Sequence, residues 1–204
     1  MPIKLIYGKL KFKIKYIGKQ NFKKYKNTGY FIYANHTLNL GDTFIPSIPV
    51  YPKRNFFIVN PENISIKGLG NSTSFLGAIP IPNKKDGMKG FLEAIKYHIE
   101  KKHSITIYPE AHIWPYYTKI RPFKYVSFAY PIKLNVPAFC ITNTYQRYGK
   151  NSFRVVSYID GPFFADKDLN YQEQRKNLRD KIYSCMQERS KNSNIEIIKY
   201  IKID

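Results

Sequence analysis

Tyr30-Phe-Ile-Tyr-Ala-Asn-His-Thr-Leu-Asn-Leu-Gly-Asp42 opens with a run that reads as a β-strand, Tyr30 to Ala34, and then sets a histidine and a carboxylate in the turn beyond it. Catalytic loops of α/β folds gather at the carboxyl ends of strands. His36 therefore lies where a general base is useful, with Asn35 beside it and Asp42 available to orient its imidazole.

Outward from this stretch, hydrophobic spacing gives the rest of the fold. Lys9 to Tyr16 alternates strictly, with Leu10, Phe12, Ile14 and Tyr16 opposite Lys9, Lys11, Lys13 and Lys15, as a half-buried strand with a basic outer face does. Further strands are expected at Phe56 to Val59, Ser104 to Tyr108, Val136 to Thr142 and Phe153 to Ile159. Met88, Phe91, Leu92, Ile95 and Ile99 recur at helical spacing between Asp86, a candidate cap, and Lys102. A second helix, Tyr171 to about Arg189, turns Leu178, Ile182, Cys185 and Met186 inward, and Pro61-Glu-Asn-Ile-Ser is placed to open a short one. Strands alternating with helices give the fold class α/β, a single domain over residues 1–204 with a mixed, mainly parallel central sheet flanked by helices.

The net charge of +20 calls for anionic partners: phospholipid surfaces, nucleic acids, or phosphates of a nucleotide or carrier. Only 7 of the 34 basic residues are arginine, so part of this charge reflects a lysine-rich composition rather than bidentate phosphate recognition. No apolar stretch approaches the roughly 20 residues that cross a bilayer. Cys140 and Cys185 lie far apart and form no CxxC pair, which fits a reducing, cytoplasmic setting.

A second polar cluster, Tyr108-Pro-Glu-Ala-His-Ile-Trp114, also follows a strand directly. The two clusters supply two histidines, an aspartate and a glutamate, but the chain has no Gly-x-Ser-x-Gly elbow, and Cys140 lies in an apolar run. A reaction whose nucleophile belongs to the substrate fits this set best. His36 would take the proton of a substrate hydroxyl, and Asp42 would fix the imidazole tautomer.

Asn35-His36 with Asp42, Tyr108-Pro109-Glu110, Phe123-Lys124 and Val136-Pro137 follow one another like the blocks of the glycerolipid acyltransferases, the 1-acylglycerol-3-phosphate (lysophospholipid) acyltransferase group. The resemblance runs from about Tyr16 to about Pro162. It implies transfer of a fatty acyl group from a thioester, acyl-CoA or acyl carrier protein as co-substrate, to a lysophospholipid hydroxyl, with no cofactor, no metal and no covalent acyl-enzyme. His36 and Asp42 take the catalytic roles. Glu110 and His112 become acceptor-positioning residues, and Lys84, Lys85, Arg121 and Lys124 become candidates for phosphate or donor contacts.

Three departures from the family pattern stand out. Five residues rather than the usual four separate His36 from Asp42, and a bulge at Gly41 is a way to restore the contact. The second block, which usually supplies an arginine, reads Ile79-Pro-Ile-Pro-Asn83 followed by Lys84 and Lys85. Pro109-Glu110-Ala111-His112-Ile113 replaces the usual Pro-Glu-Gly-Thr-Arg, which leaves the acceptor head group open.

Membrane attachment is expected to be peripheral, on the inner, anionic face, with Lys9, Lys11, Lys13 and Lys15 contributing about 1 kcal/mol each. Two other readings compete. A basic nucleic-acid-binding protein would stack bases on the many aromatics, but these mostly occupy core positions, so nucleic acid is not the expected partner. A metal-dependent hydrolase would use His36, Asp42, Glu110 and His112 as ligands, at a spacing that matches no compact motif.

Overall fold

The computed structural model describes residues 14–61, 77–150 and 152–201. Seven strands form one sheet: β1 (Lys15–Ile17), β2 (Tyr30–Ala34), β3 (Asn55–Val59), β4 (Ala78–Pro80), β5 (Ser104–Ile107), β6 (Ala138–Arg147) and β7 (Phe153–Phe163). Their spatial order is β1-β7-β6-β2-β5-β3-β4. Every neighbouring pair is parallel except β6 and β7, an antiparallel hairpin. The mixed, mainly parallel α/β sheet expected from the sequence is the observed architecture.

β2 sits at the centre, and all five of its residues are buried because both faces are covered. Phe31 and Tyr33 point to a core shared with Phe91, Ile95 and Ile99 of α2 (Met88–Glu100) and Leu178, Ile182 and Met186 of α4 (Tyr171–Ser190). Tyr30, Ile32 and Ala34 face the other way, into a core closed by Phe22 and Ile45. Each fully buried side chain of this size contributes roughly 1.5–3 kcal/mol. Two shorter helices, α1 (Ser47–Val50) and α3 (Ala129–Lys133), complete the described α-helices and were not anticipated.

Asn170 opens α4 with a reciprocal capping box to Glu173, and Arg189 near its end grips Asp160 of β7 at 2.9 and 2.7 Å. Both ends of the helix are thus fixed by polar contacts while its apolar stripe packs on β6 and β7.

Several expectations change. β6 continues five residues beyond Thr142, because its polar side chains are satisfied inside the sheet: Ser157 donates to Asn143 Oδ1 at 2.7 Å and Thr144 to the Val156 carbonyl at 2.9 Å. Asp86 makes no cap bond to α2; a 3-10 turn, Lys85–Gly87, leads into it, and Met88 and Leu92 stay exposed while Phe91, Ile95 and Ile99 carry the burial. Of the first basic strand only Lys15 and Tyr16 lie within β1; Lys9, Lys11 and Lys13 fall outside the described residues, as does all but the first residue of the helix expected at Pro61. No helix among the described residues is long and apolar enough to cross a membrane.

Candidate active site

β2 and β5 run side by side with Tyr33 opposite Ile107. Three residues further on, this register brings His36 level with Glu110, so the two polar clusters meet at the carboxyl end of the sheet. Asn35 fixes the turn out of β2. Its buried amide donates to the Asn143 carbonyl at 3.0 Å and accepts the Asn143 amide at 2.8 Å, which ties the loop to β6.

Asp42 reaches back to His36 through a 3-10 turn, Leu40–Thr43, rather than the bulge expected at Gly41. The winding absorbs the fifth intervening residue: the Asp42 amide donates to the Leu38 carbonyl at 2.7 Å, and the Leu38 amide donates to Asp42 Oδ2 at 2.9 Å. The same oxygen lies 2.7 Å from His36 Nδ1. An ionised carboxylate only accepts, so Nδ1 carries the proton and Nε2 keeps its lone pair. Burial pushes the Asp42 carboxyl up to about 6, against the downward pull of His36 and of the Leu38 and Thr37 amides. Above that pH the carboxylate holds the imidazole in one tautomer.

The imidazole rests on Tyr108, with ring centroids 4.4 Å apart and planes 23° from parallel. The Tyr108 hydroxyl donates to the Asp42 carbonyl, and burial, with Asp42 second, holds its phenol well above the usual range. One aromatic therefore braces both members of the pair. Tyr145 adds a second brace by donating to Thr37 Oγ1 at 2.7 Å. Neither tyrosine was assigned a role from sequence; the usable signal for Tyr108 was its place at the end of an apolar run, immediately before Pro109.

Glu110 occupies the interior of the site. Its side chain is fully buried; Oε2 accepts the His36 amide at 3.1 Å and Arg121 Nη2 at 3.1 Å, and Oε1 accepts the Arg121 amide at 2.8 Å. The Trp114 amide donates to the His36 carbonyl at 3.0 Å and the Tyr116 amide to the Thr37 carbonyl at 2.8 Å. Both backbone polar groups of His36 are thus held by the second loop. Ala111 takes φ +66°, the left-handed conformation that the family's glycine adopts freely.

The other predicted residues scatter around this centre. Arg121 is mostly buried, its guanidinium over the Trp114 ring at 4.8 Å and bonded to Glu110 and the His112 carbonyl, so it ties the loop together. The Glu110 carboxylate is likewise enclosed and bonded to three donors. His112 and Lys124 are exposed. Lys84 and Lys85 are exposed beyond the carboxyl end of β4, three strand positions from β2 and hence roughly 14 Å across the sheet. They lie at the same end as His36 but not beside it.

With Glu110 spent on backbone and Arg121, the four residues considered as metal ligands do not converge. Among the described residues the group with metal-ligand spacing is Cys140, Asp160 and Cys185, away from His36 and with Asp160 paired to Arg189. Cys140 is fully buried in β6 under α4, with its sulfur 3.8 Å from that of Cys185. Neither thiol adjoins the imidazole.

No curated protein is similar enough in sequence to match. Among solved structures, the 1-acyl-sn-glycerophosphate (LPA) acyltransferase PlsC from Thermotoga maritima superposes with a TM-score of 0.64 over 95% of this chain and 81% of that one, at 19% identity. At that identity the likeness speaks for the fold. The sequence of residues 13–142, which spans both loops of the site, matches the family described as Acyltransferase. This chain belongs to the Acyltransferase family.

Proposed function

We propose that the protein transfers a fatty acyl group from an acyl thioester, acyl-CoA or acyl carrier protein, to the free hydroxyl of a lysophospholipid. The observation that carries the reading is the 2.7 Å contact between His36 Nδ1 and Asp42, which leaves Nε2 as a base at the open edge of the site. Nε2 takes the hydroxyl proton as the acceptor oxygen attacks the thioester carbonyl. Collapse of the tetrahedral intermediate breaks the carbon–sulfur bond, and the departing thiolate takes the proton from the imidazolium. Ester and free thiol result, with no acyl-enzyme and no cofactor. A positioned base of this kind contributes about 100- to 10,000-fold.

Glu110 acts through His36 as a positioning residue. His112, exposed in the second loop, is the candidate contact to the acceptor head group, and Lys124 is a further exposed candidate. Lys84 and Lys85 suit a phosphate further from the reacting carbon, as on the donor. Attachment to the inner face of an anionic membrane would be peripheral, with Lys15 part of the basic surface.

The direct test offers a panel of lysophospholipids to the protein with both acyl-CoA and acyl carrier protein donors, following ester and thiol together. Thiol release that depends on one acceptor class and matches ester formed supports the reading. Thiol release with no acceptor dependence would identify a thioesterase instead.

A further inference from the structure

The amino end of the sheet holds a second concavity, at the opposite end of β2 from His36. β2 spans five residues, so the two lie roughly 15 Å apart. The cavity is an open one of about 800 Å³, within the range of small-ligand sites. Seven of its fifteen lining residues are cations, whereas 34 of 204 are basic in the whole chain, so the crowding exceeds what the composition supplies. None of the fifteen is acidic.

Three separate segments deliver these charges. Lys19, Lys23 and Lys26 come from the 3-10 helix Lys19–Tyr25 and its cap, Lys53 and Arg54 from the approach to β3, and Lys101 and Lys102 from the end of α2. Lys53 is the innermost. Its ammonium donates to the Thr28 carbonyl at 3.0 Å and to the Lys102 carbonyl, and burial together with the Lys102 charge brings it down to about 8. His103, also in the lining, is lowered by burial and then by Arg54, Lys53 and Lys101. Like charges that depress one another without a carboxylate among them form a site lacking its counter-charge. Between these cations the lining is apolar, with Phe22, Pro49, Val50 and Tyr51, the last 53% exposed.

We infer that this cavity binds a compact phosphate ester with two or more adjacent phosphates, of the nucleoside polyphosphate class, its phosphates among the lysines and its ring on the Tyr51 wall. Several lysines satisfy such a ligand as point charges around one polyanion, and bidentate arginine geometry is not required. The same phosphate chemistry occurs on lipid head groups, but the cavity volume and the apolar wall favour a small ligand.

The probes are ATP, inorganic tripolyphosphate and phosphatidylglycerol vesicles, titrated calorimetrically into the full chain. The variant carries Lys23→Gln, Lys26→Gln and Lys101→Gln, all exposed positions; the control removes equal charge elsewhere, through Lys89→Gln, Lys176→Gln and Lys181→Gln. One saturable site for ATP is expected, tighter than for tripolyphosphate, at least tenfold weaker in the variant and unchanged in the control. Equal weakening in the control would reduce the effect to bulk charge and overturn the inference. So would binding to vesicles alone, or the absence of a saturable site. Equal affinity for ATP and tripolyphosphate would overturn the role of the apolar wall. His36→Ala should bind ATP like the wild type, which keeps this result separate from the proposed acyl transfer.

Discussion

The two ends of the sheet treat charge in opposite ways. At the carboxyl end, two buried carboxylates, Asp42 and Glu110, each collect several donors: an imidazole, a guanidinium and backbone amides within 3.1 Å. At the amino end, lysines and an arginine crowd a cavity with no carboxylate in its lining. The first arrangement pairs its charges within the chain and holds one histidine in one orientation. The second is unfinished. Chemistry needs the former, because a base must be fixed before the substrate arrives; binding an anion is served by the latter, because the ligand brings the missing charge.

Breaking this contrast should be most costly at Glu110. Glu110→Ala leaves the His36 amide, the Arg121 amide and the Arg121 guanidinium without their shared acceptor, and loss of one partner of a buried ion pair costs about 3–5 kcal/mol. Urea unfolding measures it, and a loss under 1 kcal/mol would show that Glu110 does not hold the loop.

Asp42 is next and acts on rate more than on stability. Asp42→Asn should lower turnover about 10- to 100-fold, since an amide can present its NH₂ to Nδ1 and favour the wrong tautomer. Wild-type turnover should fall as pH drops through about 6, where the Asp42 carboxyl takes up a proton and loses its hold on the imidazole. The stability effect has the other sign. A carboxyl at about 6 in the folded state, raised from 3.8, binds its proton more tightly folded than unfolded, so its contribution declines as pH rises between about 4 and 6. Thermal melts across that window should lose this slope in Asp42→Asn.

Smaller effects sharpen the comparison. Ala111→Gly relieves the left-handed backbone beside Glu110 and should stabilise by about 0.5–1 kcal/mol, with turnover unchanged. At the amino end, neutralising a cation should help rather than harm: Lys102→Gln relieves Lys53 and should raise the melting temperature slightly at low salt and not at 1 M salt, where screening already does so. A drop in melting temperature at low salt would mean that the cluster is already neutralised within the chain.

Much of the carboxyl end was legible because its elements obey simple periods. β2 is a short apolar run, α2 and α4 carry helical stripes, and His36 and Glu110 directly follow strands. The bond from the His36 amide to Glu110 was not legible, since the two residues lie 74 positions apart and the bond runs to backbone rather than side chain. The second half of β6 escaped because its polar side chains pair within the sheet, where hydropathy reads them as surface. The basic cavity escaped for a different reason: its lysines come from three segments of a chain rich in lysine throughout, and only the fold brings them together.

The central claim is that His36 is the base and that everything around it holds it in place. Single-turnover acyl transfer by His36→Ala, compared with wild type using the acceptor and donor found in the panel, tests that claim most directly. A rate at least 100-fold lower, with an unchanged melting temperature and no acyl group trapped on Cys140 or Cys185, is predicted. Transfer at close to the wild-type rate, or an acyl-enzyme on either cysteine, would contradict it.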